Sequence, residues 1–338
     1  MKTAMLYSGS EVEVIDQEPP LACNDYAVVK VHSAPMCTEY LSYKNGEEDL
    51  YLGHEAAGEV VEVAQPGKVK VGDRVVVMPQ YPCGKCDLCL NGDYIHCEHV
   101  VDPLRECSIS SGIATYSQYV IKQDWLLLPV PEGMSYDHAS MANCGLGSSF
   151  GAMNLMEVGP FDTVLITGLG PVGMGAVINS RVRGAKVIAV ARNDYRRQLA
   201  KELGASVVLH PGEDDAVRRI KELTGGKGAD KSVDCSGGVN YQLICVRGTR
   251  RKGHVAFVGE SGDLTVKVSQ DLIRNGLTLH GSWHWNLRDR DKMMETIKRA
   301  PGSIDRLITH TFPLSEVEEA FKLQMSGRCG KVVLHPWE

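Results

Sequence analysis

The seven residues "TGLGPVG", Thr167 to Gly173, constrain this chain more than any other stretch. They follow the apolar run "DTVLI" and lead into "MGAVINS", so the glycines sit where a buried strand would turn sharply into a buried helix. In such a turn Gly168 permits the tight bend, Gly170 lets the backbone approach a pyrophosphate, and Gly173 lets helix pack on strand, with Pro171 and Val172 between them. The helix N-terminus then faces the phosphates. A glycine triplet alone is a weak signal. Here it opens a region where the apolar runs "AKVIAVA", "ASVVLHP", "KSVDCSG" and "HVAFVGE" alternate with helical stretches such as "DYRRQLAKELGA". That alternation predicts an α/β, doubly wound parallel sheet of the Rossmann type, a dinucleotide-binding architecture. The uncharged run Thr163 to Ser180 approaches the length of a membrane span, but its interior glycines and proline favour strand, turn and helix, and no membrane partner is expected.

The second strand of that region ends "VIAVARNDYRRQ", which places Ala191 and Arg192 where an NAD-binding fold usually offers an acid to the ribose. Arg192, with Arg196 or Arg197 nearby, could pair with a 2'-phosphate that a carboxylate there would repel. NADP(H) is therefore favoured over NAD(H). The alternative is a solvated helix start, with Asp194 serving as the acid from a shifted register.

Up to about residue 130 the pattern is different: short alternating runs such as "EVEVID", "YAVVKVHSA", "EAAGEVVEVA" and "DRVVVM", separated by turn formers, predict a β-rich domain. "LPVPEG", Leu128 to Gly133, reads as a boundary connection. Two domains suit a chain of 338 residues, and a net charge of -6 gives no support to a nucleic-acid partner. The N-terminus meets Glu11 and Glu13 before any apolar core of signal-peptide length has formed, so a cytoplasmic address and mostly reduced cysteines are expected. Within the β-rich part, "CGKCDLCLNGDYIHC" places Cys83, Cys86, Cys89 and Cys97 in fifteen residues. A knuckle-like loop of this spacing can turn four sulfurs inward and close a tetrahedral zinc shell with no position left for water, which makes the site structural. A redox pair at "CGKC" would leave two cysteines unexplained. His96 and His99 read as surface residues, and Cys23, Cys107, Cys235, Cys245 and Cys329 as core or incidental.

Together the quartet, "GHEAAGEVVEV", "VGDRVVV", "GLGPVG", "AKELGA" and "SGRCGKVVL" resemble, in order and over essentially the whole chain, the zinc-dependent medium-chain dehydrogenase/reductase family, which includes alcohol, polyol and threonine dehydrogenases. The resemblance implies a GroES-like catalytic domain over residues 1–148, completed by 286–338, and a Rossmann coenzyme domain over 149–285. It implies that Cys37, His54 and Cys144 ligate a catalytic zinc, with Glu55 the nearby acid, giving two zinc ions per chain. Lys331 falls where the family often places a basic contact to the cofactor pyrophosphate, and Val258, Trp283 and His284 near the nicotinamide or substrate. Trp283 and Trp285 would equally serve to pack the domain joint. The implied activity is hydride transfer between a small alcohol or carbonyl and the nicotinamide, with zinc as Lewis acid, in a homodimer or homotetramer.

One departure stands out. Where the family commonly reads Cys-Gly-Thr-Asp with a histidine soon after, this chain reads "CTEYLSYKNG". Either a one-residue shift lets Thr38 supply the relay hydroxyl, or Glu39 itself acts as general base or as anchor for a polar substrate, or Glu39 faces solvent. The runner-up function is an NAD-dependent polyol or amino-alcohol dehydrogenase of sorbitol or threonine type. A non-catalytic zinc-stabilised binding protein and a zinc-free enoyl reductase fit less of the chain.

Overall fold

The computed structural model describes residues 1–212, 215–260 and 262–338. The chain forms two compact units, one from Met1–Asn143, Asn286–Lys298 and Ile308–Glu338, the other from Cys144–Trp285 and Arg299–Leu307. The first crossing comes five residues earlier than the expected boundary at 148, and the stretch 299–307 returns to the second unit, which the sequence pattern did not anticipate. Packing explains the excursion: helix Pro301–Leu307 buries Ile304 and Leu307 and lies against helices Pro171–Val182 and Asp194–Glu202.

In the first unit the strand Tyr26–Pro35 is largely apolar and mostly buried, so it takes a central place. It pairs antiparallel with Ala56–Val63, Tyr119–Gln123 and the late strand Lys331–His335, which itself runs parallel to Ile308–Pro313. The sheet continues through Arg74–Val77 to Leu127–Pro129, so the start of "LPVPEG" is a sheet strand rather than a linker. Val29, Val31, Val60, Val75, Phe321 and Leu334 form part of one core here. The C-terminal helix Val317–Ser326 and the strand after it therefore complete a domain that the first residues began. Cys23 and Cys107, read from sequence as incidental, are joined by a disulfide with Cα atoms 5.6 Å apart. A separation of 84 residues carries no pattern that would have paired them.

The second unit holds a six-stranded parallel sheet. Numbered in chain order, its strands Thr163–Thr167, Lys186–Val190, Val207–Leu209, Ala229–Asp234, Thr249–Phe257 and Thr278–Gly281 lie side by side as 3-2-1-4-5-6. That order places a topological switch between the first and fourth strands, where a doubly wound sheet opens a ligand crevice at its carboxyl ends. Among the described residues, no helix is long and apolar enough to cross a membrane.

Candidate active site and metal centres

The pairing of Tyr26–Pro35 with Ala56–Val63 sets Ser33 beside Ala57, so Cys37, just past the first strand, and His54 and Glu55, just before the second, emerge at the same sheet end. Cys144 follows Asn143, whose side-chain amide donates to the Ala56 carbonyl at 3.5 Å, and the peptide bond holds it at that end. Ligand atoms of Cys37, His54, Glu55 and Cys144 lie within 4.8 Å of one another. Two thiols and an imidazole, with a carboxylate beside them, are a donor set suited to zinc with one position open.

The surrounding side chains fix this group. Glu39 is buried, and its Oε2 accepts the Cys37 backbone N–H at 2.9 Å and the Tyr116 hydroxyl at 2.8 Å. Its Oε1 stands 2.7 Å from His54 Nδ1, which leaves Nε2 as the nitrogen for a ligand. Burial would push the Glu39 carboxyl up, but the His54 charge and hydrogen bond, the backbone and Tyr116 together hold it at about 2. Burial likewise opposes protonation of His54, and the Glu39 carboxylate with Cys37 raises its pKa well above the ordinary range. Glu55 is fully buried, and burial lifts its carboxyl to about 7 against the pull of Lys331, whose ammonium lies 2.7 Å from Glu55 Oε1. Gln324 donates to the Cys37 carbonyl at 3.3 Å.

The cysteine quartet is built differently. Helix Asp87–Leu90 carries Cys89, a three-residue 3-10 turn at Tyr94–His96 leads to Cys97, and all four sulfurs come from one loop. The separations are 3.5 Å for Cys86–Cys89, 3.6 Å for Cys83–Cys97 and 3.9 Å for Cys86–Cys97. Four sulfurs at zinc-thiolate bond length on a tetrahedron stand about 3.8 Å apart, so the quartet has the dimensions of a closed zinc shell. Backbone N–H groups of Cys83 and His99 donate to Cys97 Sγ, while neither His96 nor His99 belongs to the four-sulfur group.

In the second unit the glycine turn shows the predicted backbone constraints at Gly168 and Gly173. Gly168 has φ +79, and a Cβ there would stand 2.5 Å from the Ser236 side chain. A Cβ on Gly173 would stand 1.8 Å from the Gly168 carbonyl oxygen, whereas one on Gly170 would meet nothing within 4 Å. Strand and helix thus approach closely, and the middle glycine faces open space at the start of helix Pro171–Val182.

The comparisons agree with this geometry. Residues 24–132 match the alcohol dehydrogenase GroES-like domain, and residues 171–299 the zinc-binding dehydrogenase domain. D-arabitol-phosphate dehydrogenase of Enterococcus avium is 31% identical over 96% of this chain and 94% of its own length. The chain belongs to the zinc-dependent medium-chain dehydrogenase family. Sorbitol dehydrogenase of Bacillus subtilis is 29% identical, covering 99% of this chain and 97% of that one. Alcohol dehydrogenase TADH from Thermus sp. ATN1 shares the fold with a TM-score of 0.90 at 24% identity, covering 99% of each chain.

As a member of this family the protein is an oxidoreductase of the alcohol dehydrogenase class, using zinc, a nicotinamide cofactor and a small alcohol substrate. Two expectations about its site residues change. Lys331 is fully buried and committed to Glu55, so it presents nothing to a pyrophosphate. Glu39 neither faces solvent nor is available as a general base on substrate, because its oxygens are engaged by His54, Tyr116 and Cys37. Thr38 is exposed beside Cys37.

On the cofactor side, Ala191 is buried and Arg192 exposed just after strand Lys186–Val190. Asn193 caps the following helix by accepting the Arg196 N–H at 3.0 Å, and Asp194 pairs with Arg197 at the surface. Val258 is half-buried and Trp283 is 45% exposed, while His284 is buried and stacks on Trp285, which packs edge-on against Phe150. The sequence reading missed Tyr116 and Asp234. The latter accepts from the Thr167 and Ser236 hydroxyls at 2.8 and 2.7 Å and from the Gly237 N–H at 3.0 Å, so it braces the two loops at the switch point. Its signal was an acid at the carboxyl end of strand Ala229–Asp234; Tyr116 had none.

Proposed function

We propose that this protein is a zinc-dependent, NADP(H)-preferring alcohol dehydrogenase or carbonyl reductase, moving hydride between an alcohol carbon and C4 of the nicotinamide. The observation that carries the proposal is the meeting of Cys37, His54, Glu55 and Cys144 within 4.8 Å. Cys37, His54 and Cys144 would hold a catalytic zinc and the quartet a structural one. When bound, the catalytic zinc supplies Lewis acidity toward the substrate oxygen. The chain's own contributions are positional: Glu39 orients the His54 ring, Lys331 keeps the Glu55 carboxylate compensated, and Thr38 is the hydroxyl beside Cys37 that passes the substrate proton toward solvent. Arg192, exposed at the end of the second strand with no acid in front of it, supports the choice of NADP(H).

A second reading is an NAD-linked polyol dehydrogenase, supported by relatives whose names are sorbitol dehydrogenase and D-arabitol-phosphate dehydrogenase. It no longer draws on Glu39 as a substrate anchor. Metal analysis of the purified chain, followed by a screen of simple alcohols, carbonyls and polyols with both cofactors, tests the proposal. Two zinc ions per chain and a preference for NADP(H) of tenfold or more are expected. One zinc, or equal rates with both cofactors, would refute the corresponding part.

A further inference from the structure

Tyr116 has no place in the reading above, yet it is tied to the metal-binding group at two points. It is fully buried, and its backbone is fixed by a hydrogen bond from its N–H to the Leu52 carbonyl at 3.0 Å and by one from the Ala4 N–H to its own carbonyl at 2.9 Å. Its ring lies against Gly53, where a Cβ would stand 2.4 Å from ring carbon Cδ1, so the residue before His54 has to be glycine and the loop is pressed onto the ring. Gly53 also has φ +86. The hydroxyl then reaches Glu39 Oε2 at 2.8 Å, in a place that is fully enclosed.

We propose that Tyr116 is a positioning residue for the metal-binding imidazole: its hydroxyl locks the Glu39 carboxylate, whose other oxygen holds His54 Nδ1 and so fixes the rotation of the ring. The inference rests on the zinc reading of the Cys37, His54 and Cys144 group. Its physical basis is the length of the glutamate side chain. Glu39 starts only two residues after Cys37 and must reach sideways to His54, which leaves a long side chain with several rotamers. The Cys37 N–H restrains one oxygen from below, at 2.9 Å, and Tyr116 restrains the same oxygen from the body of the domain, so that the carboxylate plane is held. Without the hydroxyl, Glu39 keeps its charge and its histidine partner but loses the contact that selects one orientation. Outer-shell partners of this kind govern how tightly a metal is retained, and their loss typically costs 10- to 100-fold.

The test compares Tyr116→Phe with Tyr43→Phe. Tyr43 belongs to the same core and stacks on Phe321, but its hydroxyl reaches the surface residue Glu318, so that variant reports what loss of a tyrosine hydroxyl from this core does away from the metal-binding group. Each protein is loaded with cobalt(II), the absorption spectrum is recorded, and metal release to a chelator is followed. For Tyr116→Phe we expect release of the metal held by Cys37, His54 and Cys144 about tenfold faster, a shifted cobalt absorption band, and a kcat reduced by a similar factor with KM changed less than twofold. Tyr43→Phe should match the unmodified protein in all three. If Tyr116→Phe lowers thermal stability further than Tyr43→Phe does, release is compared at a temperature where both are folded. An unchanged release rate and spectrum would overturn the role of Tyr116 and leave the function standing. Failure of the unmodified protein to take up metal at this group would overturn the zinc reading itself, and the proposal with it.

Discussion

The two sulfur-bearing groups of this protein solve different problems. The quartet draws all four donors from one loop, and its sulfurs accept hydrogen bonds from the loop's own backbone, among them the N–H groups of Cys83 and His99. The backbone N–H of Lys85 outweighs burial at Cys83 and brings that thiol down to about 6, while burial pushes the Cys89 thiol up. The dispersed group draws its donors from positions 37, 54, 55 and 144, and side chains surround it: Glu39, Tyr116, Lys331 and Gln324. A closed shell needs only a well-shaped turn. A group whose donors come from separated segments must be oriented from outside, because no single loop fixes its geometry.

That contrast predicts opposite consequences for a lost ligand. Cys144→Ser should reduce kcat/KM by roughly a thousandfold or more, the equivalent of several kcal/mol of Lewis-acid stabilisation, and lower zinc from two to one per chain while leaving the melting temperature nearly unchanged. Cys97→Ser should do the reverse. Because structural zinc binding is folding free energy, its melting temperature should fall by roughly 10 °C, with turnover per folded molecule retained below the transition. If both variants lost activity and stability together, the division between a structural and a catalytic centre would fail.

The next largest effect concerns the buried layer behind the dispersed group. Lys331→Met leaves the fully buried Glu55, whose carboxyl already stands at about 7, without its partner. This should cost up to about 3–5 kcal/mol in chemical denaturation at alkaline pH and less below pH 7, where the carboxyl takes up a proton, and the double variant with Glu55→Gln should recover much of it. No recovery would show that the lysine acts through something other than this pair. Smallest of all, Thr38→Val should slow turnover about tenfold or somewhat more through the lost proton path, with zinc content and stability unaffected. A rate equal to that of the unmodified protein would remove Thr38 from the proton path.

How legible each group was follows from the same contrast. The quartet could be read from spacing because short loops constrain where their sulfurs go, and the glycine turn because φ +79 at Gly168 and the close approach at Gly173 leave few residue choices. The strand and helix alternation of the second unit was readable for the same local reason. The excursion at 299–307 and the Cys23–Cys107 disulfide were not readable, since each depends on partners brought near by the rest of the fold.

The sequence by itself determined a parallel α/β unit that binds a dinucleotide, a β-rich unit and a four-thiolate loop, all set by short-range periodicity, turn chemistry and ligand spacing. Only the tertiary structure decided that Glu39 lies against His54 and Tyr116, and that Lys331 is buried against Glu55. The reason is physical: a charged side chain takes its role from the partner it meets when buried, and here those partners lie as far apart along the chain as residues 55 and 331.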